Sequence, residues 1–129
     1  FLEAGLIKYV VFSDTVSDMP ALYNTADLVI FPVVNLSGKF DVPLVIVEAY
    51  ACGRPVILSD LDGFQEFTNE HICVTILKDS GEKLIESVAH LKENVHLREN
   101  IGYQARLFAE KNFDLENTAR EYEKIYSSL

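Results

Sequence analysis

Through the first two thirds of the chain, apolar residues come in short bursts separated by polar turns; afterwards they recur at helical spacing. Tyr9-Val-Val-Phe12, Leu28-Val-Ile-Phe31 and Val56-Ile-Leu58 are continuous runs rich in β-branched and aromatic residues, and each predicts a short buried strand. The unbroken run at Leu28–Phe31 predicts a parallel strand covered on both faces, ended by Pro32. A weaker strand is expected from His71 to Leu77. Between these lie helix signals. Asp18 caps a helix with Pro20 in its first turn, running through Leu22 and Tyr23. Asp41 caps a second, with Pro43 in its first turn and Gly53 just past its end. From Gly81 the pattern is helical. Leu84, Ile85, Val88 and Leu91 share one face, and Leu97, Ile101, Ala105 and Phe108 another. Asp114 caps a last helix with Leu115, Ala119, Tyr122 and Tyr126 inside. Strands alternating with helices predict an α/β fold, a Rossmann-like parallel sheet flanked by helices with a helical tail.

The 129 residues make one domain, and the first residue is Phe rather than Met, as in a piece of a longer protein. A hydrophobic share of 49% and a charged share of 24% are those of an ordinary water-soluble domain. No apolar run approaches the ~20 residues of a membrane span, and the N-terminal stretch lacks the basic start of a secretory signal. The formal charge of −9 argues against nucleic acid and anionic membrane as partners. Cys52 and Cys73 sit in no metal-ligand spacing and read as free thiols of a reducing compartment, the cytoplasm. His71, His90 and His96 are scattered and adjoin no nucleophile, and no metal site is expected.

The chemistry concentrates in Asp41–Asp60, DVPLVIVEAYACGRPVILSD, where one carboxylate, Glu48, interrupts the most apolar segment. Strand, loop, helix, strand puts this segment at the carboxyl end of a parallel sheet, where open α/β sheets bind ligands. The free N–H groups at the helix start, near Pro43 and Leu44, would favour a phosphate. Glu48, further along the same helix, is an acceptor suited to the paired hydroxyls of a ribose. Spacing alone leaves a second role open, a structural cap or ion pair. Ser59-Asp60 and Asp62-Gly63 would sit at another strand's carboxyl end, lining the same cleft or serving as turn residues. Lys39 and Arg54 are the basic residues near the segment; the first reads as a solvated loop charge, the second as a cation favoured by the preceding helix C-terminus.

Ala26-Asp27-Leu28 followed by PLVIVEAYACGRPVILSDLDGFQE resembles the C-terminal, nucleotide-sugar-binding domain of retaining GT-B glycosyltransferases of family 4. Glu48-Ala-Tyr-Ala-Cys-Gly-Arg-Pro-Val follows that family's Glu-Ala block nearly position for position, and the likeness in style extends over the whole chain. The resemblance implies that Glu48 binds the ribose hydroxyls of a nucleotide-diphosphate sugar, of UDP or GDP type. It implies that backbone amides near Val42, Pro43, Leu44 and Val45 approach the phosphates, and that the turn from Phe12 and Ser13 lies by the base. The family's first Glu falls here on Phe40; Asp41 follows it and either replaces that acid or only caps the helix. The stiffer Asp-Val-Pro stands where the family has a Gly-rich loop.

The resemblance therefore implies a single partial domain, residues 1–129, of an enzyme that transfers a glycosyl (hexosyl) unit with retention, without a cofactor and without a metal of the Asp-x-Asp type. Its acceptor-binding N-terminal domain would be a missing partner, and the isolated piece would be inactive. Two other readings stand beside this one. In the first, the chain is a non-catalytic binding module that self-associates as a homodimer through an open sheet edge. In the second, it is a fragment of a GT-B-type sugar-nucleotide epimerase or phosphorylase.

Overall fold

In the computed structural model, which describes residues 5–35 and 43–128, three strands form a parallel sheet in the order β1-β2-β3. They are β1 (Val29–Phe31), β2 (Val56–Asp60) and β3 (Cys73–Leu77). The register pairs Ile30 with Ile57 and Ile57 with Val74. Helix α1 (Met19–Thr25) precedes β1, and α2 (Leu44–Ala51) joins β1 to β2. Helices α3 (Gly81–Glu93), α4 (Val95–Phe113) and α5 (Leu115–Ser127) close the chain. The expected α/β architecture with a helical tail is the one observed.

Strand β2 is central because it is apolar on both sides. Val56, Ile57 and Leu58 have no exposed surface, and alternation sends them to opposite faces. Val56 and Leu58 join Ile46, Ala49 and Tyr50 of α2, with Ala105 and Ala109 of α4, in one core cluster. Ile57 joins Ile76, Leu91 of α3 and Ile101 of α4 in the second. Burying each such side chain contributes about 1.5–3 kcal/mol, so β2 anchors the domain. Helix α2 ends as its sequence predicts. Gly53 takes φ +65°, its N–H bonds to the Tyr50 carbonyl at 2.8 Å, and the Arg54 N–H to the Ala49 carbonyl at 2.9 Å. That paired closure needs a residue free to adopt positive φ, which glycine supplies.

The structure departs from the sequence reading in five places. Tyr9–Phe12 is not a strand: Ile7–Tyr9 forms a 3₁₀ turn and Val11 is 93% exposed. A β-prone run becomes a strand only where a neighbour supplies a ladder, and among the described residues none lies beside it. Strand β1 is covered on one face only, since Ile30 is left 44% exposed at the sheet's outer edge. The N-cap position of α2 is taken by Pro43, whose side chain cannot cap it; Asp41, the expected cap, lies outside the described residues. In α3, Ile85 is 72% exposed, because Leu84, Val88 and Leu91 already fill the stripe facing the sheet. No residue of α5 is buried; Leu115, Tyr122 and Tyr126 lie open on its surface. Asp18 and Asp114 do cap α1 and α5, accepting backbone N–H groups through their carboxylates.

Candidate nucleotide-binding site

Helix α2 carries the candidate site. Among the described residues its first turn has no side-chain cap, and the N–H groups of Leu44 and Val45 precede the helix's own hydrogen-bond ladder. Both residues are exposed, whereas Pro43 is buried and fixes the entry of the chain. Glu48 lies one turn on, about 6 Å along the axis, and is exposed. An uncapped helix start followed within a turn by a carboxylate can take a ligand that is anionic at one end and bears hydroxyls at the other.

Glu48 is not free to swing. The hydroxyl of Tyr23, on α1, donates to Glu48 Oε2 at 3.1 Å and lies 3.4 Å from the Val45 carbonyl. Tyr23 is buried, and the burial, reinforced by the hydrogen bond to Glu48 and by its negative charge, pushes the phenol up to about 12. The tyrosine therefore keeps its proton and remains a donor. A small cavity of 150 Å³ between α1 and α2 is lined by Met19, Pro20, Tyr23, Glu48, Ala51 and Cys52.

Sequence reading places Tyr23 in a helix and gives it no role. The signal it missed is a general one: a buried phenol needs an acceptor. That acceptor lies 25 residues away along the chain, a separation only the fold closes. Of the other expected site residues, Phe40, Asp41 and Val42 lie outside the described residues, as does Lys39. Phe12 and Ser13 are exposed, and among the described residues no hydrogen bond joins either to Glu48.

Ser59 does not line the cleft of Glu48. It is buried on the α3 side of the sheet, in a 160 Å³ cavity with Ile76, Asp79 and Ser80. Gly63 has φ +97° and donates its N–H to Gln65 Oε1 at 2.8 Å, a turn role. Arg54 is structural: it donates to the carbonyls of Cys52 and Ala26 at 3.2 and 3.1 Å and to Asn24 Oδ1 at 3.4 Å, tying the end of α2 to the α1–β1 turn. Both thiols are free, and burial pushes the Cys73 thiol up. Among the described residues no His, Cys, Asp or Glu cluster could hold a metal, and no helix is long and apolar enough to cross a membrane.

This three-stranded parallel unit, with the helix after β1 presenting its N-terminus and an acid, is a Rossmann-like half of the GT-B type. Anabaena Alr3699/HepE, solved in complex with UDP, superimposes with a TM-score of 0.90 at 24% identity, over 99% of this chain and 35% of that one. The family described as "Glycosyl transferases group 1" matches residues 2–94, and the chain belongs to it. Among curated relatives, an uncharacterized glycosyltransferase of Methanocaldococcus jannaschii is 31% identical over 65% of this chain and 22% of its own length. The N,N'-diacetylbacillosaminyl-diphospho-undecaprenol alpha-1,3-N-acetylgalactosaminyltransferase of Campylobacter jejuni is 28% identical over 100% of this chain and 32% of its own length. The chain thus spans a third or less of these two proteins.

Proposed function

We propose that this chain is one partial domain of a longer cytoplasmic glycosyltransferase and that it binds the nucleotide-sugar donor. The observation that carries the reading is the pairing, on one helix, of an N-terminus uncapped among the described residues with an exposed, oriented carboxylate one turn later. The first-turn N–H groups of Leu44 and Val45 receive the diphosphate, and Glu48 receives the ribose hydroxyls. Relatives named as glycosyltransferases, and a fold neighbour solved with UDP, support a nucleoside diphosphate as the carrier.

Catalysis in such an enzyme rests on positioning and on stabilising the departing diphosphate. The N-terminus of α2 supplies part of that stabilisation, with retention at the sugar and with neither metal nor cofactor from this chain. Asp41 either contacts the sugar in place of the family's first acid or only caps the helix, Phe40 and Val42 flank it in sequence, and Phe12 and Ser13 border the base. The acceptor is held by the rest of the protein.

Calorimetric titration of the full-length protein with UDP, GDP and ADP, beside Glu48→Ala, tests this. One of the three should bind. Loss of a hydrogen bond to a charged group should then weaken it about ten- to a hundredfold, with the circular dichroism unchanged. Equal affinity in the variant would refute the ribose role of Glu48.

One observation favours a second reading, self-association: the outer edge of β1 is unpaired among the described residues and exposes Ile30. Light scattering across a concentration series decides it, and a constant monomer mass would remove it.

A further inference from the structure

We infer that Tyr23 is a positioning residue for the nucleotide, holding the Glu48 carboxylate in the orientation that receives the ribose. This rests on the donor-site reading above. A glutamate exposed on a helix has three side-chain torsions, and fixing them on binding costs conformational entropy. Tyr23 has two torsions and is 6% exposed, its ring packed in the cluster of Ile46, Ala49 and Tyr50. Its hydroxyl is thus fixed before any ligand arrives. The phenol has one proton and two acceptors in reach. The carboxylate oxygen is nearer, at 3.1 against 3.4 Å, and charged, so it takes the stronger bond.

With Oε2 engaged in this way, Oε1 has no partner among the described residues and is left to accept from a ligand hydroxyl. The contact comes from α1, an element separate from the one that bears the acid. The pairing therefore also sets how α1 stands against the start of the binding helix. A purely structural Tyr–Glu bond would pin α1 to α2 and do nothing more. The two roles differ in one measurable respect: positioning the carboxylate affects ligands in proportion to the hydroxyls they present to it, whereas pinning affects all nucleotides alike.

The experiment pairs UDP, GDP and ADP with their 2′-deoxy counterparts. Each is titrated calorimetrically into the full-length protein as wild type, Tyr23→Phe, Glu48→Ala and the double variant, and circular dichroism verifies that the fold persists. The wild type should prefer the ribonucleotide of its cognate pair by about tenfold, one lost hydrogen bond to a charged group. In Tyr23→Phe the ribonucleotide should weaken about three- to tenfold and the deoxynucleotide hardly at all, so that the preference shrinks. In Tyr23→Phe/Glu48→Ala the tyrosine effect should vanish, because its acceptor is gone.

A wild type that discriminates, with Tyr23→Phe keeping the full ratio, would overturn the inference and leave the donor-site reading standing. A wild type that binds both sugars equally would overturn the inference together with the ribose role of Glu48, and one that binds no nucleotide would overturn the donor-site reading as well.

Discussion

The substitution Gly102→Ala sets two effects of opposite sign against each other. Gly102 lies inside α4 and is buried. In an exposed helix interior, Ala is favoured over Gly by about 1 kcal/mol. Here a Cβ would stand 2.3 Å from the Gly53 carbonyl oxygen, 3.2 Å from its carbon and 3.4 Å from Pro55 Cδ. An ordinary carbon–oxygen contact is about 3.3 Å, so the helices must part by about 1 Å. The obstacle is backbone, in a turn already closed at φ +65° by two hydrogen bonds, and it cannot rotate aside. Moving α4 instead loosens Ala105 and Ala109 against α2. Overpacking of this kind costs about 1–3 kcal/mol and at times more, which exceeds the propensity gain. Gly102→Ala should therefore lower stability by about 2 kcal/mol, read as a lower urea midpoint at unchanged slope by far-UV circular dichroism. Gly81→Ala is the control: a Cβ there meets nothing within 4 Å, so it should be neutral or stabilise by up to about 1 kcal/mol. If Gly102→Ala raised the midpoint, α4 would not be seated on the end of the Glu48 helix, and this account of what holds that helix would fail.

Arg54→Ala should destabilise the domain by about 1–3 kcal/mol, since it frees the Ala26 carbonyl and the end of α2, while leaving nucleotide affinity unchanged; a large affinity loss at constant stability would instead make Arg54 a ligand contact. Tyr23 should ionise at about 12 in the folded protein, read as tyrosinate absorbance that disappears in Tyr23→Phe. The sign follows. Below pH 10 both states keep the proton and the stabilisation is complete. Between 10 and about 12 the unfolded chain releases it while the folded one retains it, so stability falls as pH rises. Tyr23→Phe should flatten that part of the fall, and an unchanged alkaline slope would contradict the Tyr23–Glu48 bond.

What the sequence determined by itself is local. The apolar bursts located β1 and β2, and β2 most sharply, because a strand buried on both faces must be apolar at nearly every position; β3, half-buried, gave a weaker signal. Asp18, Gly53 and Asp114 marked helix ends, because capping is decided within a few residues of chain. The Glu-Ala-x-Ala-x-Gly-x-Pro-Val block located Glu48 on the helix after β1, with the resemblance to the group 1 glycosyl transferases.

What only the tertiary structure decided depends on what lies alongside. Tyr9–Phe12 has the residues of a strand and, among the described residues, no ladder to join. Ile85 and the stripe of α5 have helical periodicity, and nothing among the described residues covers them. Ser59 shares the carboxyl end of the sheet with Glu48 in the sequence pattern, but β2 alternates, and its side chain goes to the opposite face. Tyr23 reaches Glu48 only because α1 packs beside α2. Each is a contact across distant parts of the chain, which periodicity does not encode, since hydrophobic pattern fixes which face is buried and leaves open what buries it.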